Sequence, residues 1–367
     1  MDLERAGAAV VPAAERYRDG LLAGTTAEAP ASPARLASPR RHRLGLPGDI
    51  VFLLGAFLLF ALVTLLLSRL TGAPFTLPTE RVSPALGIPA IVPVLAAGGG
   101  YLLAQIVRHL WRPRPGEGWA DVARLVAVDL GFVGLFLAVT YLHFHLKTWM
   151  PLVNPHLFDQ AYFAVDERLR FVIAALAKVR AMVAAVLPAP DLWYQGAQAT
   201  LVILAFWLHA LGNRRWHHHS MIALLLLLML GPLTYLIAPA VGPFLFEDGP
   251  NAVATVSQHA MHEVFSNVQA GGPAWLAAHG GEHLTAALAA MPSLHVALAT
   301  LVTYYAFKMR SALLPLILFL SGWIFVESVV SRWHYLVDLP PGVALAALVI
   351  LLTNRICRWR VAGEGRP

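Results

Sequence analysis

The sequence predicts an all-α polytopic membrane protein with about eight transmembrane helices. Three observations predict this fold class. The 367 residues are 58% hydrophobic and 13% charged, the mean hydropathy is +0.63, and the apolar residues are gathered in long runs. Runs of about twenty apolar residues are needed to span hydrocarbon, because every backbone polar group there must be hydrogen-bonded within its own helix.

The apolar runs define the predicted membrane spans. Eight runs are long enough to be considered, although the last of them is short. They cover residues 50–68, 83–107, 125–146, 192–212, 221–241, 285–307, 311–330 and 339–353.

The residues before the first span form a predicted disordered cytoplasmic tail, 1–48, which is rich in Ala, Pro, Ser and Arg and ends in the basic cluster Arg40, Arg41 and Arg43. No small-residue cleavage site follows Ser68. The first span is therefore expected to remain in the protein as a signal anchor.

The basic residues predict the orientation of the chain. Placing the tail in the cytoplasm puts four basic clusters on the same side, which satisfies the positive-inside rule. These are Arg108/Arg112/Arg114, Arg214/Arg215, Lys308/Arg310 and Arg355/Arg358/Arg360. Both termini, including a tail at 357–367, are then cytoplasmic. An outer helical segment at 147–190 and an outer loop at 242–284 lie on the other side of what we interpret as a bacterial inner membrane.

The outer segment 147–190 is the exception to the charge rule, because it carries several Lys and Arg residues. Asn154-Pro155 is typical of a helix start, and the apolar residues that follow have roughly helical spacing. We predict one or two helices on the outer surface, with a re-entrant hairpin as the alternative.

Charge and cysteine content exclude several classes of protein. The 27 Lys and Arg exceed the 21 Asp and Glu by six, and in so apolar a chain this excess indicates membrane topology rather than nucleic-acid binding. Cys357 is the single cysteine. An intramolecular disulfide and a thiolate zinc site are therefore excluded.

The first polar motif is Met291-Pro292-Ser293-Leu294-His295. Pro292 suits the first turn of a helix, whose free backbone N–H groups near Ser293 and His295 form a potential anion site. His295 is then placed to exchange a proton with a bound phosphate ester. A Pro-Ser helix start without any function is the structural alternative.

The second motif runs from Ser331 to Asp338. His334 and Asp338 are four residues apart, so on a helix the carboxylate can accept an imidazole N–H and leave the other ring nitrogen free. Arg332 adds donors for phosphate oxygens. Both motifs fall at the outer membrane face, where ionisable residues are typically functional.

Two imidazoles and a carboxylate suit phosphoryl transfer. A neutral imidazole held by a carboxylate is a nucleophile for phosphorus, and a second imidazole supplies the proton for the leaving oxygen. The alternative for each residue alone is packing at the membrane interface.

The order Pro-Ser-x-His, one intervening span, then His-Tyr-x-x-Asp with Gly342 four residues further on resembles the type 2 phosphatidic acid phosphatase superfamily. The segment from Tyr235 to Pro243 is similar to one in the inositolphosphotransferase branch, which includes inositol phosphorylceramide synthase. The resemblance covers residues 154–354.

The resemblance implies a six-helix catalytic core at 122–356, preceded by two additional helices at 49–121. It implies that His334 is the phosphoryl-accepting nucleophile, Asp338 its orienting partner and His295 the proton donor, with no metal or other cofactor. Arg332, Ser293, Tyr335 and Tyr235 are the candidate substrate-binding residues.

The sequence departs from the wider superfamily in its phosphate-binding residues. The usual Lys-x6-Arg-Pro motif is missing, since no Lys or Arg lies between Arg215 and Lys308. Leu294 replaces the common glycine, and Arg332 lies closer to the histidine than the usual arginine does. Phosphate binding is left open between Arg332, the helix-start amides and outer basic residues such as Arg168 and Arg170.

Other polar residues have weaker functional interpretations. A metal site at the histidines 217–219 or in the outer loop is less expected than solvated or membrane-flanking surfaces. A role for Glu327 in the site, either facing the cavity or pairing with Arg332, is the less expected interpretation of this residue. The residues weighed in this way are His217, His218, His219, His259, His262, His279, Glu282, His143, His145 and Trp111.

The predicted function is a lipid phosphatase or phosphotransferase that acts on a lipid phosphate ester at the extracytoplasmic face. Its partners are the lipid substrate, the membrane and an acceptor, which is water or an alcohol such as inositol. The alternative is a transporter or binding protein that uses the same His and Asp residues without covalent chemistry. The sequence has no inverted repeat, which weighs against transport.

Overall fold

The computed structural model describes residues 48–79, 91–111, 118–211 and 214–363, and side chains are not described at 91–97, 209–211, 214 and 358–363. The predicted tail before Gly48 and the first part of the second predicted span, 83–90, lie outside the described residues. So does the end of the C-terminal tail.

All regular secondary structure in the described residues is helical, and it includes twelve α-helices. In order they are α1 Gly48–Thr71, α2 Ile91–Trp111, α3 Trp119–Thr148, α4 Met150–Val153, α5 Asp159–Arg168, α6 Arg170–Ala184, α7 Trp193–Leu211, α8 Arg214–Tyr235, α9 Ala252–His279, α10 Leu294–Lys308, α11 Leu314–Val330 and α12 Leu339–Gly363.

Four helices in the described part of the chain are long and apolar enough to cross a membrane. They cover Gly48–Thr71, Trp119–Thr148, Arg215–Tyr235 and Leu336–Cys357, and Leu314–Val330 is apolar but shorter. The prediction of a helical membrane protein is confirmed, whereas the number of eight spans is not.

Helix α10 lies at the centre of the bundle and packs against α7, α8, α11 and α12. Helix α8 is also central, since 72% of its apolar stretch is buried, compared with 17% in α1. Large side chains of α1 such as Leu58, Leu62 and Leu70 are exposed. An apolar face of this kind is suited to lipid contact.

The predicted span 285–307 begins later than expected. Residues 285–293 are not helical, and α10 starts at Leu294, because Ser293 has an extended backbone and caps the helix with its side chain. The helix therefore has 15 residues, too few to span hydrocarbon alone.

The two segments predicted to lie outside the membrane differ from their predictions. The helix expected at Asn154-Pro155 begins instead at Asp159, because the Asn154 side chain donates to the carbonyl of Leu236 at 2.9 Å and ties this link to the end of α8. The predicted loop 242–284 contains α9, which bends at Gly272 and Pro273.

Candidate active site

The starts of α10 and α12 are joined to each other. The Ser293 side chain accepts the N–H of Val296 at 3.3 Å, and the Ser293 N–H donates to the Asp338 carbonyl at 3.1 Å. A Cβ at Gly342 would lie 2.5 Å from the Ser293 carbonyl oxygen. Glycine is therefore required there for the two helices to approach so closely.

His334 lies in the turn between α11 and α12. Its Nδ1 is 2.8 Å from the carbonyl oxygen of Ala290 and 3.4 Å from Asp338 Oδ2. His334 and Asp338 do not lie on one α-helix as predicted, since Leu336–Asp338 is a 3-10 turn. The arrangement nevertheless holds the proton on Nδ1 and leaves Nε2 without it.

His295 faces the free nitrogen of His334. Its Nδ1 lies 3.4 Å from His334 Nε2, and its ring packs against Tyr194, with the centroids 5.1 Å apart. Tyr194 also stacks on Trp333 at 6.1 Å. Sequence reasoning missed Tyr194, which fixes the histidine from α7, because this contact joins residues far apart in the chain.

A cavity of about 390 Å³ is lined by the two histidines and by residues of α3, α7 and α8. Its polar lining residues include His295, His334, Tyr235, Lys147, Thr140, His143, Gln195 and Gln198. The remaining lining is largely apolar, including Val133, Phe136, Val202, Phe206, Leu224 and Leu227. This volume and this mixture of surfaces are typical of a ligand site.

The side chain of Arg332 lies among carboxylates and not in the described lining of the cavity. Its Nη1 lies 3.3 Å from Asp166 Oδ2, its Nη2 pairs with Glu247, and the residue is outside the described lining of the cavity. Burial lowers the pKa of Arg332, although Asp166 opposes this shift. A phosphate-binding role for Arg332 stays a prediction, and it requires the guanidinium to leave carboxylates that already neutralise it.

The backbone of Arg332 is also unusual, with φ at 61°. A left-handed conformation at a residue other than glycine costs of order 1 kcal/mol. The ion pairs with Asp166 and Glu247 hold this conformation, which turns the chain so that Arg332 and His334 face different surroundings.

Tyr335 belongs to a second buried group around Asp159. Its hydroxyl donates to Asp159 Oδ1 at 2.7 Å, and the same carboxylate accepts the N–H groups of Val241 and Gly242 at 3.0 and 2.9 Å. Burial raises the pKa of Asp159, and these hydrogen bonds partly oppose the shift. Among the predicted substrate-binding tyrosines, Tyr235 lines the cavity, whereas Tyr335 lies outside its described lining.

Glu327 is fully buried but neither lines the described cavity nor pairs with Arg332. It accepts hydrogen bonds from Arg180 at 2.9 Å, Asn251 at 2.7 Å and Ser331 at 2.6 Å. The network ties α6 and the start of α9 to the end of α11. Glu327 therefore has a structural position, and neither of the two site placements considered for it is seen.

The other histidines are dispersed. His218 pairs with Asp49 at 2.7 Å and His259 with Asp248 at 3.1 Å, while His262 stacks on Phe265. Burial lowers the pKa of His262. Within the described residues, no group of three or more His, Cys, Asp and Glu side chains is placed to hold a metal ion.

The two histidines near the end of α3 have different positions. His143 lines the cavity and its Nδ1 lies 2.9 Å from the Leu228 carbonyl. His145 instead accepts the N–H of Thr76 at 3.0 Å and so connects α3 to the segment after α1. Trp111, expected as a membrane anchor, is exposed at the end of α2.

Comparison with known proteins identifies the family. Residues 160–352 match the family model of the PAP2 superfamily, close to the extent of the resemblance noted in the sequence. No curated protein and no solved structure matches the chain. The match includes the Ser293–His295 and His334–Asp338 segments and more than half of the chain. The protein therefore belongs to the PAP2 superfamily, whose members are typically phosphatases.

Proposed function

We propose that the protein transfers the phosphate of a lipid ester through a phosphohistidine formed on His334. One observation carries this proposal above all. His334 Nε2 and His295 Nδ1 lie 3.4 Å apart among the polar residues that line a largely apolar cavity. This geometry supplies a nucleophile, a proton donor and a place for a carbon chain.

In the first step, His334 Nε2 attacks phosphorus and the bond from phosphorus to the lipid oxygen breaks. Protonated His295 gives its proton to that departing oxygen. The phosphorylated ring keeps its Nδ1 proton and becomes positive. The Ala290 carbonyl and the Asp338 carboxylate, 2.8 and 3.4 Å from Nδ1, stabilise this charge.

In the second step, His295 is a base. It accepts a proton from the acceptor hydroxyl, whose oxygen attacks phosphorus while the phosphorus–nitrogen bond breaks. His334 returns to its neutral form and His295 to its protonated form. Water as acceptor gives inorganic phosphate, and an alcohol such as inositol gives a new phosphate ester.

The cavity supports a lipid rather than a small soluble ester as substrate. Val133 and Lys147, which both line it, are about 21 Å apart along the axis of α3 at 1.5 Å per residue. The apolar residues extend from the histidines into the bundle between α3, α7 and α8. A long hydrocarbon chain fits this shape when its phosphate lies at His334.

The arrangement of basic residues supports an extracytoplasmic site. Arg215 begins α8 and Lys308 ends α10, and both lie over the ring of Trp216, at 5.6 and 6.0 Å from its centroid. The histidines lie at the opposite ends of these helices. By the positive-inside rule, the basic end faces the cytoplasm.

Phosphorus accounting on the purified protein in lipid discs tests the proposal. Phosphatidic acid, polyprenyl diphosphate and phosphatidylinositol are each supplied with and without inositol and ceramide, alongside His334→Ala. We expect conversion only by the wild type. Inorganic phosphate identifies a phosphatase, and a new phosphorylated lipid that requires an alcohol identifies a transferase. Transport of labelled lipid across sealed vesicles with no covalent change would contradict the proposal.

A further inference from the structure

Lys147, near the end of α3, lines the same cavity as His295 and His334. We propose that its ammonium group binds the phosphate of the substrate and replaces the cations of the missing Lys-x6-Arg-Pro motif. This inference rests on the proposed function, since it assigns a residue to the same site. It comes from the position of Lys147 in the cavity, because its place in the sequence does not match that motif.

The charges around the cavity favour an anionic ligand. Among the described residues that line it, Lys147 carries the only Lys or Arg side chain, and none is Asp or Glu. Arg332, by contrast, is paired with Asp166 and Glu247. An ammonium group in largely apolar surroundings is costly unless an anion neutralises it, and a phosphate group at His334 supplies that charge.

The ammonium group of Lys147 lies over an aromatic ring. Lys147 Nζ lies 5.8 Å from the centroid of the Tyr235 ring, and Tyr235 is buried at the end of α8. A cation over an aromatic face is attracted to it, but this contact leaves the N–H donors available to oxygen atoms.

The same face of α3 continues as a polar stripe. Thr140, His143 and Lys147 follow the helical spacing and all line the cavity. Across from them, Gln198 also lines it, and the side-chain oxygens of Thr140 and Gln198 are buried without a hydrogen-bond partner among the described residues. This stripe offers polar contacts beside the phosphate, while the apolar wall is left for the lipid chain.

The test measures binding of inorganic phosphate by ³¹P NMR titration of the full-length protein in discs of a zwitterionic lipid. Lys147→Met is compared with the wild type, with Lys147→Arg and with Lys178→Met. Lys178 is an exposed residue of α6 outside the described lining of the cavity, so it is a matched control for the loss of one lysine. Turnover of the lipid substrate is measured on the same samples to separate KM from kcat.

We expect Lys147→Met to weaken phosphate binding about 10- to 100-fold, the effect of losing a charge-assisted hydrogen bond. Lys178→Met should leave binding unchanged, and Lys147→Arg should restore part of it. Equal phosphate binding by wild type and Lys147→Met, or an absence of binding by the wild type, would overturn the inference.

The two proposals fail in different ways. Unchanged phosphate affinity and turnover in Lys147→Met would remove the role of Lys147 and leave the phosphohistidine mechanism standing. Binding of phosphate that depends on Lys147, in a protein that converts no lipid phosphate, would support the anion site and contradict the proposed function.

Discussion

The two sides of the turn between α11 and α12 differ in how their cations are neutralised. On one side, buried Arg332 is paired with Asp166 and Glu247. On the other, Lys147 shares a cavity with His295 and His334, and the described lining has no carboxylate. A cation that already has its counter-charge stabilises the fold, whereas one without it is available to a phosphate.

The largest effect is expected from removing His334, the proposed nucleophile. His334→Ala should lower turnover at least about 10³-fold, because the phosphoryl-accepting nitrogen of the proposed mechanism is lost. The measurement is product release in lipid discs, with insertion checked by gel filtration. Full turnover by this variant would contradict the assignment of His334 as the nucleophile.

His295→Gln should lower turnover by about 10² to 10⁴-fold, the usual contribution of an acid–base group. A substrate with a better leaving group, such as a nitrophenyl phosphate ester, needs less protonation of the departing oxygen. The deficit in the first-turnover release of the leaving group should therefore be smaller with that ester, and an equal first-turnover deficit with both substrates would argue against proton donation by His295.

Asp338→Asn should be less severe than His334→Ala. The Ala290 carbonyl still accepts the Nδ1 proton at 2.8 Å, so the tautomer is retained and only the charge stabilisation is lost. We expect kcat to fall about 10- to 100-fold. A loss as complete as that of His334→Ala would mean that Asp338, rather than Ala290, fixes the ring.

Arg332→Met tests the paired cation of the comparison with Lys147. Removing one partner of a buried ion pair costs about 3–5 kcal/mol of folding stability. We expect a lower unfolding temperature than for Lys147→Met, but a smaller loss of phosphate affinity. The reverse order of the two affinity losses would restore Arg332 as the phosphate ligand predicted from the sequence.

The smallest predicted effect concerns pH. Burial raises the pKa of Asp159, so the folded protein binds this proton more tightly than the unfolded chain does. Its contribution to stability is therefore present at low pH and is lost as pH rises through the folded pKa. As the pH is lowered from 7, the unfolding temperature of the wild type should therefore rise relative to that of Asp159→Asn. A relative loss over that range would contradict the sign.

Much of the helical framework and the central His-His-Asp group could be predicted from the sequence. Long apolar runs indicated α1, α3, α8 and α12, and the spacing of the polar motifs indicated that His295, His334 and Asp338 belong together. These signals are local, or depend on features shared by the superfamily.

The rest depends on contacts between residues distant in the chain. Arg332 was predicted to face phosphate because nothing near it in sequence revealed Asp166, 166 positions earlier. Lys147 is the first residue of the predicted outer segment 147–190, and its spacing from Thr140 and His143 on one helix face was a usable signal. The late start of α10 followed from Ser293 as a cap within an apolar stretch, which hydropathy alone does not register.

The central claim is tested most directly by trapping the phosphorylated protein. Purified protein in lipid discs is mixed with phosphatidic acid or another converted lipid labelled in the phosphate, quenched within milliseconds, and analysed for label on the chain. We predict label that is stable to base and labile to acid, located on His334 and absent from His334→Ala. Turnover with no labelled protein at any time, or equal labelling of His334→Ala, would contradict the phosphohistidine mechanism.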